Sequence, residues 1–158
     1  MAAPACGLQA EPVALSRSAL IGEGIAWFYP GNVGQSTLPS LALEREPVET
    51  GPLPENWELL PAFSREEDRF EAVVEVPPGT DLYGTGMVTG PLRRNGHAIT
   101  LWNTDNWGYL RDKGRRLFQS HPWVLGVRPD GSSFGLLFDT TWRATLETLD
   151  EKVVFSSE

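Results

Sequence analysis

Between Leu101 and Trp123 the chain reads LWNTDNWGYLRDKGRRLFQSHPW, setting Trp102, Trp107, Tyr109, Phe118 and Trp123 around the carboxylate of Asp105. Flat indole and phenol faces stack on the C–H faces of sugars, and a nearby carboxylate accepts hydrogen bonds from sugar hydroxyls. The segment therefore has the chemistry of a glycan site. The same aromatics would equally serve as the core of a β-sandwich, and residue types alone leave both readings open.

Other chemistries fare worse. Retaining glycosidases need two carboxyl groups roughly 5–5.5 Å apart, one as nucleophile and one as acid/base. Asp105 and Asp112 are the only acids in this segment, and no such pair can be assembled from them. A sugar epimerase would need a histidine acid and a carboxylate base. His97 and His121 are present, but His97 sits in the turn-like RRNGHA and His121 precedes Pro122 at a strand entry, where structural or solvated roles are expected. One cysteine, Cys6, allows no internal disulfide and, with two scattered histidines, no zinc site of the usual ligand count. GTGMVTG lacks the G-x-G-x-x-G spacing of a dinucleotide fingerprint, and no helical pattern follows it. Gly84, Gly86 and Gly90 instead predict a strand that approaches another backbone closely.

The elements that must position these residues are short and strand-like. RFEAVVEV alternates and stops at PPGTD. LYGTG, AITLWN, LFQSHPWVLGVR, FGLLFDTT, WRATLETL and KVVFSSE follow, with turn residues between most of them. The clearest hairpin is VRPDGSSFGLLFD, in which Pro129 presets φ, Asp130 can cap the turn and Gly131 can take positive φ. Upstream, Ser16 to Trp27 carries a weak apolar pattern broken by YPGN, and Thr50 to Pro61 holds three prolines and predicts irregular chain. Strands recurring about every 8–12 residues predict an all-β antiparallel sandwich or barrel. A length of 158 residues fits one domain, read here as a flexible terminus over 1–15 and a sandwich over 16–158.

The formal net charge of −8 argues against nucleic acid as a partner, because binding phosphates requires a cationic footprint. Acids dominate Glu44 to Glu75, whereas Arg93, Arg94, Arg111, Lys113, Arg115, Arg116 and Arg128 make the centre basic; solvated loop faces are the expectation for them. No apolar run approaches the roughly 20 residues of a transmembrane helix, and MAAPACGLQAEPVAL lacks the basic and apolar regions of a secretory signal. A cytoplasmic chain without membrane contact is the expectation.

The ordered series LYGTG, TGPLRRNG, ITLWNTDNWGY, LFQSHPWVLGV and FGLLFDTTWRATL resembles the N-terminal, galactose-mutarotase-like β-sandwich domain of glycoside hydrolase family 31, the α-glucosidase and α-xylosidase family. There a segment like YGLGE-x-TGPL-x-x-G leads to LWN-x-D, then LYQSIPF, then YG-x-F-x-D. The likeness runs from about Leu82 to Arg143, keeping order and spacing. It implies a domain that packs on a catalytic (β/α)8 barrel and lends it a substrate-contacting loop. Asp105 is the implied substrate contact, Trp102 and Asn103 shape the loop that presents it, and Trp107 lies beside it. The nucleophile and acid/base would belong to the barrel, so no catalytic residue is expected in this chain. No metal or cofactor is implied, since acid/base hydrolysis needs none. Met87 replaces the family's usual Glu, and the chain ends at Glu158, where a further strand and the barrel would follow. A free-standing carbohydrate-binding module is the alternative, and a small mutarotase-like epimerase the less favoured one.

Overall fold

The structure is a computed structural model that describes residues 10–31, 48–110 and 112–157. Among them, eleven strands follow in chain order: β1 (Glu11–Val13), β2 (Leu15–Gly22), β3 (Ile25–Pro30), β4 (Pro61–Glu66), β5 (Arg69–Glu75), β6 (Asp81–Gly86), β7 (His97–Leu101), β8 (Ser120–Val127), β9 (Ser133–Leu137), β10 (Ala144–Thr148) and β11 (Lys152–Ser157). Two short 3-10 turns, Trp107–Tyr109 and Asp112–Gly114, lie between β7 and β8.

Every strand pairing is antiparallel. One sheet has six strands in the order β1-β4-β5-β11-β10-β7, a second has three in the order β6-β8-β9, and β2 and β3 form a separate hairpin. Alternation decides which side chains meet between the sheets. Along β10, Ala144, Leu146 and Thr148 are buried while Thr145 and Glu147 face outward. Leu101, Ile99, Val153, Phe155 and Ala72 share that inner face, and Leu82 and Val124 oppose them from the smaller sheet. Phe138, just beyond β9, stacks on Phe155 with ring centroids 4.8 Å apart, joining the two layers. The all-β antiparallel sandwich is thus the observed architecture.

Several local readings change. Residues 11–13, assigned from sequence to a flexible terminus, form β1, because Glu11 to Val13 find the edge of β4 to pair with. Residues 1–9, including Cys6, lie outside the described residues. The weak pattern after Ser16 is a hairpin turning at Glu23 and Gly24. β4 has no counterpart in the sequence reading. PAFSRE alternates poorly and opens with Pro61, which is tolerated because it is the strand's first residue.

The VRPDGSSF hairpin forms as its turn chemistry predicts. Gly131 has φ 84°, Arg128 donates its N–H to the Ser132 carbonyl, and Asp130 Oδ1 accepts both the N–H and the hydroxyl of Ser132. The close approach predicted for the glycine segment is also present. A Cβ on Gly86 would lie 2.4 Å from the Gln119 carbonyl oxygen, and one on Gly84 would lie 2.6 Å from that of Trp123. Between them the register slips, two steps along β6 matching four along β8 from Val124 to Ser120, and Thr85 at the slip is buried with φ 71°.

The basic centre divides. Lys113 and Arg115 are exposed as expected, but Arg94 is only 6% exposed. Its Nη1 donates to the Pro91 carbonyl at 2.6 Å, and burial lowers its pKa from the ordinary guanidinium value. Its backbone binds Leu82 and accepts the Thr148 hydroxyl, so it braces the β6–β7 turn. Arg93 pairs with Asp81 at 2.5 Å and Arg128 with Glu58 at 3.2 Å.

Candidate functional site

The chain between β7 and β8 leaves the sandwich as a loop with a two-rung neck. Asn103 Oδ1 accepts the Ser120 N–H at 2.7 Å, and the Thr104 N–H donates to the Leu117 carbonyl at 2.9 Å. Leu117 is buried and pins the returning limb to the core side. Past the neck, Asn106 is 1% exposed; its Nδ2 donates to the Arg116 carbonyl at 3.0 Å, and its own carbonyl accepts the Tyr109 N–H. A buried amide that ties both limbs of a loop fixes its path, because an unsatisfied one would cost about 1–3 kcal/mol.

The glycine segment after β6 supports the loop from the side. Met87 N–H donates to the Gln119 carbonyl, and Thr89 binds it twice, N–H to the Gly114 carbonyl and hydroxyl to the Lys113 carbonyl. Between this segment and the loop lies an open cleft of about 400 Å³, bordered by Met87, Val88, Thr89, Tyr109 and Leu117. With Met87 where the resembling family carries Glu, none of these lining side chains is charged.

Asp105 sits between the tied Thr104 and the buried Asn106, and its side chain is exposed. Among the described residues it has neither an ion pair nor a hydrogen bond. Arg111, a basic residue of the same loop, lies outside the described residues. Trp107, on the first 3-10 turn, is 82% exposed, and Tyr109 is exposed beside it with φ 59°, a left-handed conformation uncommon for a bulky residue. The structure therefore brings Asp105, Trp107 and Tyr109 to the outside of one anchored loop.

Of the two roles left open for the aromatics, Trp102 does not take the core one. Leu101 points into the core, so strand alternation turns Trp102 outward, where it is 48% exposed. Trp123 and Trp142 are exposed too, and the sandwich core is aliphatic and phenylalanine-rich instead. Asn103 and Asn106 anchor the loop. Asn103 is in the sequence-derived set; Asn106 is not, although an asparagine in a polar, turn-rich run is the residue type that satisfies loop backbone.

The histidines do not converge. His97 opens β7, with Nδ1 2.9 Å from the Asn95 carbonyl, whereas His121 lies near the start of β8, beside the other end of β7. Four residues of strand separate those ends by about 13 Å. The two histidines therefore do not share one site.

A sequence profile described as the glycosyl hydrolase 31 N-terminal galactose mutarotase-like domain matches residues 44–147. Alpha-glucosidase 2 of Bacillus thermoamyloliquefaciens is 38% identical over 79 residues, 49% of this chain and 10% of its own length. An alpha-glucosidase of Mucor javanicus is 31% identical over 90 residues, 57% of this chain and 10% of its own. Among solved structures, a family 31 alpha-glucosidase from Bacteroides thetaiotaomicron is 60% identical over 53% of this chain and 14% of that one, with TM-score 0.48. A cycloalternan-degrading enzyme from Trueperella pyogenes, 13% identical over 66% of this chain and 16% of that one, shares the fold with TM-score 0.55. The chain spans 10% of the length of each of the two curated relatives.

Proposed function

The chain belongs to the glycosyl hydrolase 31 N-terminal galactose mutarotase-like domain family, and we propose that it acts as the non-catalytic, substrate-contacting domain of an α-glycosidase. The observation that carries this reading is Asp105: an exposed carboxylate, without an ion pair or hydrogen bond among the described residues, on a loop whose backbone is fixed on both sides by Asn103 and Asn106. A side chain kept in water and held in position is suited to accept hydrogen bonds from the hydroxyls of an α-linked sugar. The exposed indoles of Trp107 and Trp102 offer flat faces for the same sugar or its neighbour.

In this reading the nucleophile and acid/base are carboxylates of a (β/α)8 barrel that packs beside the loop, and this chain contributes binding and orientation. Binding energy from a remote hydroxyl raises the rate when it is stronger in the transition state than in the ground state. In an enzyme that carries this chain together with its barrel, Asp105→Ala is expected to lower kcat/KM by roughly ten- to a hundredfold and leave the melting temperature unchanged. A large fall in melting temperature with unaltered kinetics would assign Asp105 to structure.

The free-standing aromatics support a second reading, a carbohydrate-binding module. It predicts that the 158-residue chain alone quenches its tryptophan fluorescence on titration with maltose or isomaltose, with Kd below about 1 mM. The domain reading predicts no saturation in that range, because in it the barrel supplies the remaining contacts to the sugar.

A further inference from the structure

The motif RRNGHA lies between β6 and β7 and takes no part in the site around Asp105. Asn95 acts there as a latch. Its Oδ1 accepts the Leu82 N–H at 2.8 Å and its Nδ2 donates to the carbonyl of the buried Thr80 at 2.9 Å, while the Arg94 N–H donates to the Leu82 carbonyl at 2.7 Å. Both backbone groups of Leu82 are thereby closed off on the edge of β6 that β8 does not pair, an edge that would otherwise be open to another strand.

The next residue, Gly96, is exposed with φ 77°, and its N–H donates to the Thr148 carbonyl at 2.5 Å. The buried Thr148 hydroxyl donates to the carbonyls of Arg94 and His97, so one threonine holds the dipeptide from both sides. Asparagine followed by glycine is prone to attack by its own backbone, because no side chain shields the glycine nitrogen and the glycine backbone turns freely. The Gly96 nitrogen bonds to Asn95 Cγ, the Cγ–Nδ2 bond breaks, and ammonia leaves with the Gly96 amide proton, closing a cyclic succinimide. Water then opens the ring at either carbonyl and leaves aspartate or isoaspartate at position 95. In the fold every participant is engaged elsewhere: the Gly96 N–H binds Thr148, and both ends of the Asn95 amide are held by β6 and Thr80.

We propose that Asn95 and Gly96 form a self-modification site that the fold keeps latched and whose deamidation, once it occurs, frees the edge of β6. Either product loses the donor to Thr80 and sets a carboxylate oxygen against that buried carbonyl. Isoaspartate also adds a methylene to the main chain beside the bond between Gly96 and Thr148. The site does not depend on the function assigned to Asp105.

The test is peptide mapping by mass spectrometry of the 158-residue chain held in mildly alkaline buffer, folded in one sample and unfolded in urea in another. In urea Asn95 should convert before the other asparagines, none of which precedes a glycine. In the folded chain its conversion should be slower by roughly a hundredfold, the combined effect of three hydrogen bonds that must open first. Gly96→Ala, whose Cβ would meet nothing within 4 Å, should slow the reaction in urea about tenfold or more. Folded chain enriched in the isoaspartate form should exchange its Leu82 and Gly96 amides about tenfold faster than fresh chain, with the amides of β11 unchanged. Equal rates in the folded and urea samples would overturn the proposal. So would a Gly96→Ala chain that converts as fast as the native sequence, or a reacted chain whose Leu82 exchange is unaltered.

Discussion

The side-chain oxygen of Asn103 accepts the backbone N–H of Ser120 at 2.7 Å, so one asparagine joins the end of β7 to the start of β8 and closes the loop that presents Asp105. Position 103 is exposed, and its contribution is orientation more than global stability. A carboxylate can reach a substrate hydroxyl repeatedly only if the backbone on either side is held. Here the neck holds one side and the buried Asn106 the other.

Asn103→Ala should therefore loosen the loop while leaving the sandwich folded. The lost hydrogen bond is worth about 1 kcal/mol, because water can replace the acceptor at an exposed neck. Hydrogen exchange at the Ser120 amide should accelerate, whereas amides of β10 and β11 should keep their protection. Asn103→Asp retains an acceptor and should keep Ser120 protected.

Gly86→Ala should destabilise the fold by about 2–4 kcal/mol, combining a left-handed backbone with a Cβ driven into the Gln119 carbonyl. Gly131→Ala is the control. Its φ of 84° is similarly strained, but a Cβ there meets nothing within 4 Å, so about 1 kcal/mol is expected. The difference between the two urea midpoints measures the backbone contact between β6 and β8.

These positions also show what could be read from sequence. Gly86 and the Asp130–Gly131 turn were legible because backbone demands select particular residue types locally. The sandwich was legible because period-two burial recurs in β5, β8 and β10. β4 was not, since its partners β1 and β5 supply the order that PAFSRE lacks. Nor was the outward aim of Trp102, Trp123 and Trp142, which depends on the strand face Trp123 occupies and on how the chain leaves β7 and enters β10 at the other two. Asp105 could be singled out by type and motif, but the roles of Asn106 and Asn95 arise from contacts across the fold.

Asp130 gives the hairpin a pH dependence. Its pKa is lowered in the folded chain, first by the hydrogen bond from the Ser132 hydroxyl and then by that from the Ser132 N–H. A carboxylate whose folded pKa is depressed stabilises the fold above its unfolded pKa of about 3.9, and that stability is lost as pH falls through the folded value. The native chain should exceed Asp130→Ala in urea midpoint near neutral pH, and the gap should close progressively in acid below about pH 4. A gap that stays unchanged in acid would show that the charge of the Asp130 carboxylate does not carry the effect.

The outward face of the smaller sheet presents Trp123, Leu125 and Leu137, all exposed, while Val124 and Leu136 on the same strands point inward. Trp123 lies directly over Gly135, where a Cβ would come within 1.9 Å of the indole, so the ring is held flat against the sheet. Contiguous apolar surface of this kind marks an interaction face, and in isolation it should bind hydrophobic dyes. Leu125→Lys and Leu137→Lys should reduce that dye binding and raise solubility, with melting temperature nearly unchanged because neither side chain contributes to the core. Val124→Lys, one residue away on the buried face, should abolish folding, since it places an unpaired ammonium among Leu82, Leu146 and Phe155. If Leu137→Lys unfolded the chain as Val124→Lys does, the outer face would be part of the core and the sheet would have to pack on both sides.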